Sequence, residues 1–304
     1  MDSKHARPVR ANCFSLLLVV ALLLMLMPRQ AVAEEKITIG LMPEMNVFKQ
    51  KQRFDPLAAY LSEKIKVPVE LSILSRYGNI IERFKDSNID AAFLGSFTGA
   101  LAITQLGVEP IVRPTNLDDT STYCGYILVR KDSGIASAAD MRGKTFAFVD
   151  KATTAGYIFP LAFLKRNKVS DIDHYLKGYY FTGSHDAAIE AVLAGQADIG
   201  CAKNTIFEFV RRSNPRIDEE LTILATSPRV PSNGLCVRPD MVPATKERLR
   251  QELLNLHHTP RGEEILKAMG YRNFVETTKE DYQPVFDLAA EAGITLKGYS
   301  YTNQ

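Results

Sequence analysis

A chain of 304 residues in which 37 basic side chains meet 35 acidic ones has no charge surplus from which to build a nucleic-acid surface. Its four cysteines and five histidines contain no Cys-x-x-Cys or His-x-x-x-His spacing, which argues against a structural zinc site. The length suffices for one large or two medium domains.

Residues 1–33 read as an export signal rather than as part of the fold. Lys4, Arg7 and Arg10 form a basic start, and 14–27 is an apolar run too short for the roughly 20 residues that span a bilayer. Ala31-Val32-Ala33 then supplies a cleavage pattern, so the reading expects cleavage after Ala33 and export of the remainder. No lipobox surrounds Cys13. Removing the segment leaves 33 basic against 34 acidic residues and three cysteines, Cys124, Cys201 and Cys236. An odd number leaves at least one thiol unpaired within the chain, and a Cys124–Cys236 disulfide is one option.

Beyond the signal, strand-like and helix-like runs alternate, which predicts an α/β fold with largely parallel sheets. Residues 37–41 read as a strand, 55–65 as a helix with Pro56 in its first turn, 69–74 as a strand, 80–85 as a helix and 90–94 as a short buried strand. The same order returns 108 residues later: strand 145–149, helix 157–166, strand 179–182, helix 187–193, strand 198–202. The segments IIERFKDSNIDAAFLG (80–95) and AIEAVLAGQADIGCAK (188–203) carry the likeness in their letters. This repeat predicts two similar lobes. The first is expected over 34–130 plus 235–304 and the second over 131–234, with crossings at the turn 131–134 and the proline-bracketed stretch 227–234. Helical periodicity in 245–256, 261–269 and 280–292 predicts a tail packed on the first lobe.

Ligands in open α/β sheets settle outside the carboxyl ends of the strands. Four turns qualify, 43–46, 75–79, 150–156 and 183–186, and lobes hinged by two strands would close them on one cleft. In DKATTAGYIFP (150–160), Thr153 and Thr154 fit either a helix N-cap or, with the N–H groups of Ala155 and Gly156, an anion cradle. His185 in GSHDAAI is either an anion ligand, strengthened by protonation near pH 6–7, or a solvated turn histidine, with Asp186 able to cap the following helix. Tyr77 in SRYGNII holds the matching place in the first half. Ser96 and Thr98 could add hydroxyls, and Glu44 either meets a ligand cation or lies in solvent. There is no Gly-x-Ser-x-Gly, no metal-ligand cluster and no nucleophile with a visible base. No enzyme activity and no cofactor are therefore expected.

With those motifs in place, the chain resembles the phosphate/phosphite/phosphonate-binding proteins of ABC importers, a branch of the type II periplasmic binding proteins. GKTFAFVDKATTAGYIFP (143–160) and GSHDAAIEAVLAGQADIG (183–200) carry the resemblance most specifically, with SPRVPSNGLCVRPDM (227–241) and SRYGNII (75–81) in support. It implies a two-lobed fold and a monomer that holds a small phosphorus oxyanion without covalent chemistry. It also implies delivery to an ABC permease, or alternatively a signal to a membrane histidine kinase. Thr153, Thr154, the N–H groups of Ala155 and Gly156, His185 and Tyr77 are the contacts it implies, and Ser96 adds a hydroxyl. The sequence departs from the family at Ala155, where a third hydroxyl is missing, and at Leu94, where some members carry an aromatic. At Thr205 and Asn233 aminophosphonate binders carry acids, so the resemblance makes 2-aminoethylphosphonate a doubtful ligand.

Overall fold

The computed structural model describes residues 36–74, 79–86, 89–299 and 301. The expected signal segment and Tyr77 lie outside the described residues.

Two sheets organise the chain. The first contains β1 (Ile37–Leu41), β2 (Val69–Ile73), β3 (Ala91–Leu94), β4 (Glu109–Asn116), β12 (Gly234–Val237) and β13 (Tyr271–Glu276), in the order β13-β4-β12-β3-β1-β2. The second contains β6 (Gly125–Arg130), β7 (Thr145–Phe148), β8 (Gly178–Phe181), β9 (Ile199–Lys203) and β10 (Leu221–Thr226), in the order β10-β6-β9-β7-β8. Short strands β5 (Thr122–Tyr123) and β11 (Val230–Pro231) pair with each other. The 108-residue repeat is visible in the pairing: β1 lies parallel to β2 and β3, and β7 lies parallel to β8 and β9.

Each sheet is mixed rather than largely parallel. Beside β3 lies antiparallel β12, and beside β9 lies antiparallel β6. These are the strands that carry the chain from one sheet to the other, so each half is completed by a strand arriving from its neighbour. The segment 125–130, expected to close the first lobe, thus hydrogen-bonds within the second sheet.

The helices are α1 (Val47–Ile65), α2 (Asn79–Lys85), α3 (Ser96–Leu106), α4 (Phe159–Arg166), α5 (Ile172–Tyr175), α6 (His185–Leu193), α7 (Asn204–Arg211), α8 (Arg216–Glu220), α9 (Pro243–Leu254), α10 (Pro260–Met269) and α11 (Gln283–Glu291). The first begins well before the expected residue 55, because Asn46 Oδ1 accepts from the N–H groups of Phe48 and Lys49 and caps it. Pro56 therefore sits inside α1, on its exposed face, where water can take the carbonyl its missing N–H leaves unpaired. Phe54, Leu57, Leu61 and Ile65 bury the opposite face.

The tail divides. Helices α9 and α10 pack on α1 and β13, beside the first sheet, as expected. Helix α11 instead lies against both α3 and α4, because Val285, Leu288 and Ala289 join one core with Phe97, Phe159 and Leu164. Arg166 pairs with Glu291 at 2.5 Å, and Gln105 Nε2 donates to the Leu296 carbonyl. Farther on, the Tyr299 ring stands edge-on to Phe97 at 5.4 Å while its hydroxyl donates to the Lys151 carbonyl at 3.0 Å. The C-terminal segment is thereby strapped across elements of both sheets.

Candidate functional site

Three helices begin at one cavity. Helix α3 follows directly on β3, with Gly95 as its N-cap. After β7, a wide π-helical turn, Thr154–Ile158, leads into α4, with Thr153 as its extended N-cap and Ile158 N–H bonded back to the Thr153 carbonyl. Helix α6 starts at His185 behind the N-cap Ser184, whose hydroxyl accepts from Ala187 N–H. Asp186 is not the cap. It lies in the first turn, where its carboxylate accepts from Ala187 N–H and, across to the first-sheet side, from Asn46 N–H.

The cavity is tight, about 10 Å³, and is lined by Glu44, Gly95, Phe97, Thr98, Tyr123, Ala152, Thr153, Thr154 and His185. Ser96 Oγ lies 2.6 Å from Thr154 Oγ1 and 2.7 Å from the Tyr123 hydroxyl, and Thr98 Oγ1 donates to the Ala152 carbonyl at 2.8 Å. First-turn N–H groups have no acceptor within their own helix, and the aligned peptide dipoles leave the start of a helix partly positive. The cavity therefore collects hydroxyls and helix starts from both sheets, an arrangement suited to an anion.

Gly156 and Ala155 shape the cradle by being small. A Cβ on Gly156 would lie 2.4 Å from the Val149 Cβ and 2.5 Å from Thr153 Oγ1. Ala155 packs against Gly125, where any Cβ would meet the Ala155 Cα at 2.9 Å. Thr153 donates its hydroxyl to the Asp150 carbonyl, which ties the loop to itself.

His185 is 3% exposed, and burial pushes its imidazole down to about 4, against the pull of Glu44. At pH 6–7, where protonation was expected to strengthen the hold on an anion, burial favours the neutral ring. Its Nδ1 accepts from Lys203 N–H at 3.2 Å, which places the ring proton on Nε2. A neutral imidazole with a fixed donor is thus held at the cavity wall.

The wall also holds an ion pair. Lys203 Nζ donates to Glu44 Oε1 at 3.0 Å and to Asn233 Oδ1 at 2.8 Å, and lies 4.4 Å from the centroid of the Tyr123 ring. Burial pushes the Glu44 carboxyl up, but the Lys203 ammonium and its hydrogen bond bring it below its ordinary value. Glu44 is neither solvated nor in need of a ligand cation, because the chain supplies the cation itself. Burial likewise pushes the Tyr123 hydroxyl up to about 12, so it remains protonated and able to donate.

Of the residues singled out in the sequence, Ser96, Thr153, Thr154 and His185 gather at this cavity, with Ala155 and Gly156 in the turn behind it. Thr205 and Asn233 line a larger neighbouring groove of about 160 Å³, which shares Glu44 with the inner cavity. Lys203 escaped the sequence reading. A lysine ending the apolar strand IGCAK was the available signal, since a charge at the end of a buried strand requires a partner.

The three thiols are all free and buried, so the optional Cys124–Cys236 disulfide is not formed. Among the described residues no cluster of His, Cys, Asp and Glu could hold a metal ion. No described helix is long and apolar enough to cross a membrane.

Residues 39–282 match the family model for the periplasmic substrate-binding protein of phosphonate ABC transporters. The phosphonates-binding periplasmic protein of Escherichia coli strain K12 is 23% identical over 273 residues, covering 87% of this chain and 79% of the relative. Among solved structures, the binding component of an ABC phosphonate transporter from Pseudomonas aeruginosa superposes with a TM-score of 0.80 at 20% identity, covering 86% of this chain and 87% of that one. PhnD1 from Prochlorococcus marinus MIT 9301, solved with methylphosphonate, gives 0.77 at 20% identity, covering 86% and 99%.

Proposed function

This chain belongs to the periplasmic substrate-binding proteins of phosphonate ABC transporters, and on that premise we propose that its inner cavity is where a small phosphorus oxyanion is captured for the permease. The protein is a binding component, and no bond is made or broken. The observation that carries the reading is the meeting of two helix starts from different sheets, joined by Ser96 and Thr154 at 2.6 Å. The anion would take one hydroxyl proton from the Ser96–Thr154 pair, backbone N–H groups from the 154–156 turn and the Nε2–H of His185. Each is a donor to a charged acceptor, the stronger class of hydrogen bond. The methylphosphonate bound by the Prochlorococcus protein supports that ligand class.

The assignment is tested by a thermal-shift and calorimetric screen of the mature protein against phosphate, phosphite, methylphosphonate, sulfate and acetate. A phosphorus oxyanion at about 100 times its Kd should add roughly 2.7 kcal/mol of stability. Stabilisation by another class, with none from phosphorus oxyanions, would overturn it.

A further inference from the structure

Lys203 ends β9, a strand buried at all five positions, and is itself 5% exposed. Taking an ammonium out of water costs several kcal/mol unless its donors are met. Here they are met by a carboxylate, an amide oxygen and the face of a tyrosine: Glu44, Asn233 and Tyr123. Those three groups are the usual means of recognising an ammonium. They come from separate parts of the chain, the turn after β1, the segment before β12 and strand β5. Together they form a complete ammonium receptor, filled by a side chain of the same molecule.

The receptor adjoins the inner cavity. Glu44 and Tyr123 line both, and the Tyr123 hydroxyl reaches Ser96 while its ring face receives Lys203. We propose that Lys203 is a specificity determinant: a tethered ammonium that neutralises Glu44 in the cavity wall and occupies the place where the ammonium of a short zwitterionic phosphonate would sit. The favoured ligands are then oxyanions without a cationic substituent. The anion half of this inference rests on the proposed function, whereas the ammonium half rests on Lys203 alone.

Two effects follow from the same contacts. A ligand ammonium would meet a resident positive charge with its acceptors already engaged. A plain oxyanion would meet a Glu44 whose charge is cancelled, instead of a bare carboxylate that repels it. Removing the lysine side chain reverses both.

The test uses the mature protein, wild type and with Lys203→Ala or Lys203→Met. Ethylphosphonate and 2-aminoethylphosphonate have the same two-carbon chain and differ by the ammonium. By calorimetry, wild type should favour ethylphosphonate at least tenfold, and Lys203→Ala should invert the preference. Independently, ethylammonium chloride should raise the melting temperature of Lys203→Ala saturably above a sodium chloride control. It should leave wild type and Lys203→Met, where a chain still fills the space, unchanged. Equal binding of the two phosphonates by wild type overturns the proposal, as does a folded Lys203→Ala protein that ignores ethylammonium. If Lys203→Ala does not fold, Lys203→Ser, which keeps a polar group beside Glu44 and Asn233, takes its place in both measurements with the same expected and overturning results. If wild type binds neither phosphonate nor any other phosphorus oxyanion, the functional reading falls, and the ethylammonium measurement still decides the role of Lys203.

Discussion

Ser96 Oγ and Thr154 Oγ1 stand 2.6 Å apart, although one begins a helix behind β3 and the other begins a helix behind β7. The bond therefore connects the two sheets at the anion cavity. Ser96→Ala should weaken binding of the captured anion by about ten- to a hundredfold, the worth of a hydrogen bond of roughly 1.5–3 kcal/mol to a charged group. Calorimetry on a variant with an unchanged circular dichroism spectrum checks this, and unaltered affinity would remove Ser96 from the site.

Gly156 fixes the cradle by close packing, since its place leaves no room for a methyl between Val149 and Thr153. Gly156→Ala should cost about 1–3 kcal/mol of stability through overpacking and should also weaken the anion, because the loop must shift to admit the Cβ. Urea denaturation and calorimetry on the same variant measure both effects. A fully stable protein with intact affinity would contradict the packing argument.

The pH response follows from His185. Its folded value of about 4 lies below the ordinary 6.5, so between those values the unfolded chain binds a proton that the folded chain refuses. The contribution is complete above about pH 6.5 and is lost as pH falls toward 4, up to about 3 kcal/mol. Glu44, Lys203 and Asp186 are the charged groups around the ring, and Glu44, held below its ordinary value, adds to the loss only at the acid end. His185→Gln should flatten stability between pH 6.5 and 5 while keeping an acceptor for Lys203 N–H and a donor for the ligand. An identical slope in wild type and variant would show that another group sets it.

Tyr299 supplies a prediction away from the cavity. Tyr299→Phe keeps the ring on Phe97 but deletes the bond to the Lys151 carbonyl, at the start of the cradle loop. The expected result is a melting temperature lowered by the equivalent of about 1 kcal/mol and an affinity reduced a few-fold. Hydrogen exchange at residues 151–156 should quicken. Unchanged exchange there would confine the tyrosine to packing.

Much of this was legible in letters, and the rest was hidden for identifiable reasons. Apolar runs located the buried strands β1, β3, β7 and β9, and the 108-residue repeat placed the more exposed β2 and β8 between them. Residues 125–130 are just as apolar, but composition cannot say which of two sheets a strand joins. The polar-faced strands β10 and β13 and the helix α3 went unread, since SFTGALAITQL has no polar face to give it a period. The hydroxyls Ser96, Thr153 and Thr154 were found through turn position and resemblance. The Lys203–Glu44 pair spans 159 residues of sequence, and no local pattern announces it.

The three buried thiols bear on how the protein can be handled. Burial raises each of them, Cys236 to about 12, so none is a ready nucleophile. Folding then asks nothing of the oxidative machinery outside the inner membrane, and the mature chain should assemble equally well in a reducing cytosol. The native cysteines would also stay silent toward maleimides, leaving a single engineered surface cysteine free to carry a fluorescent reporter of anion binding.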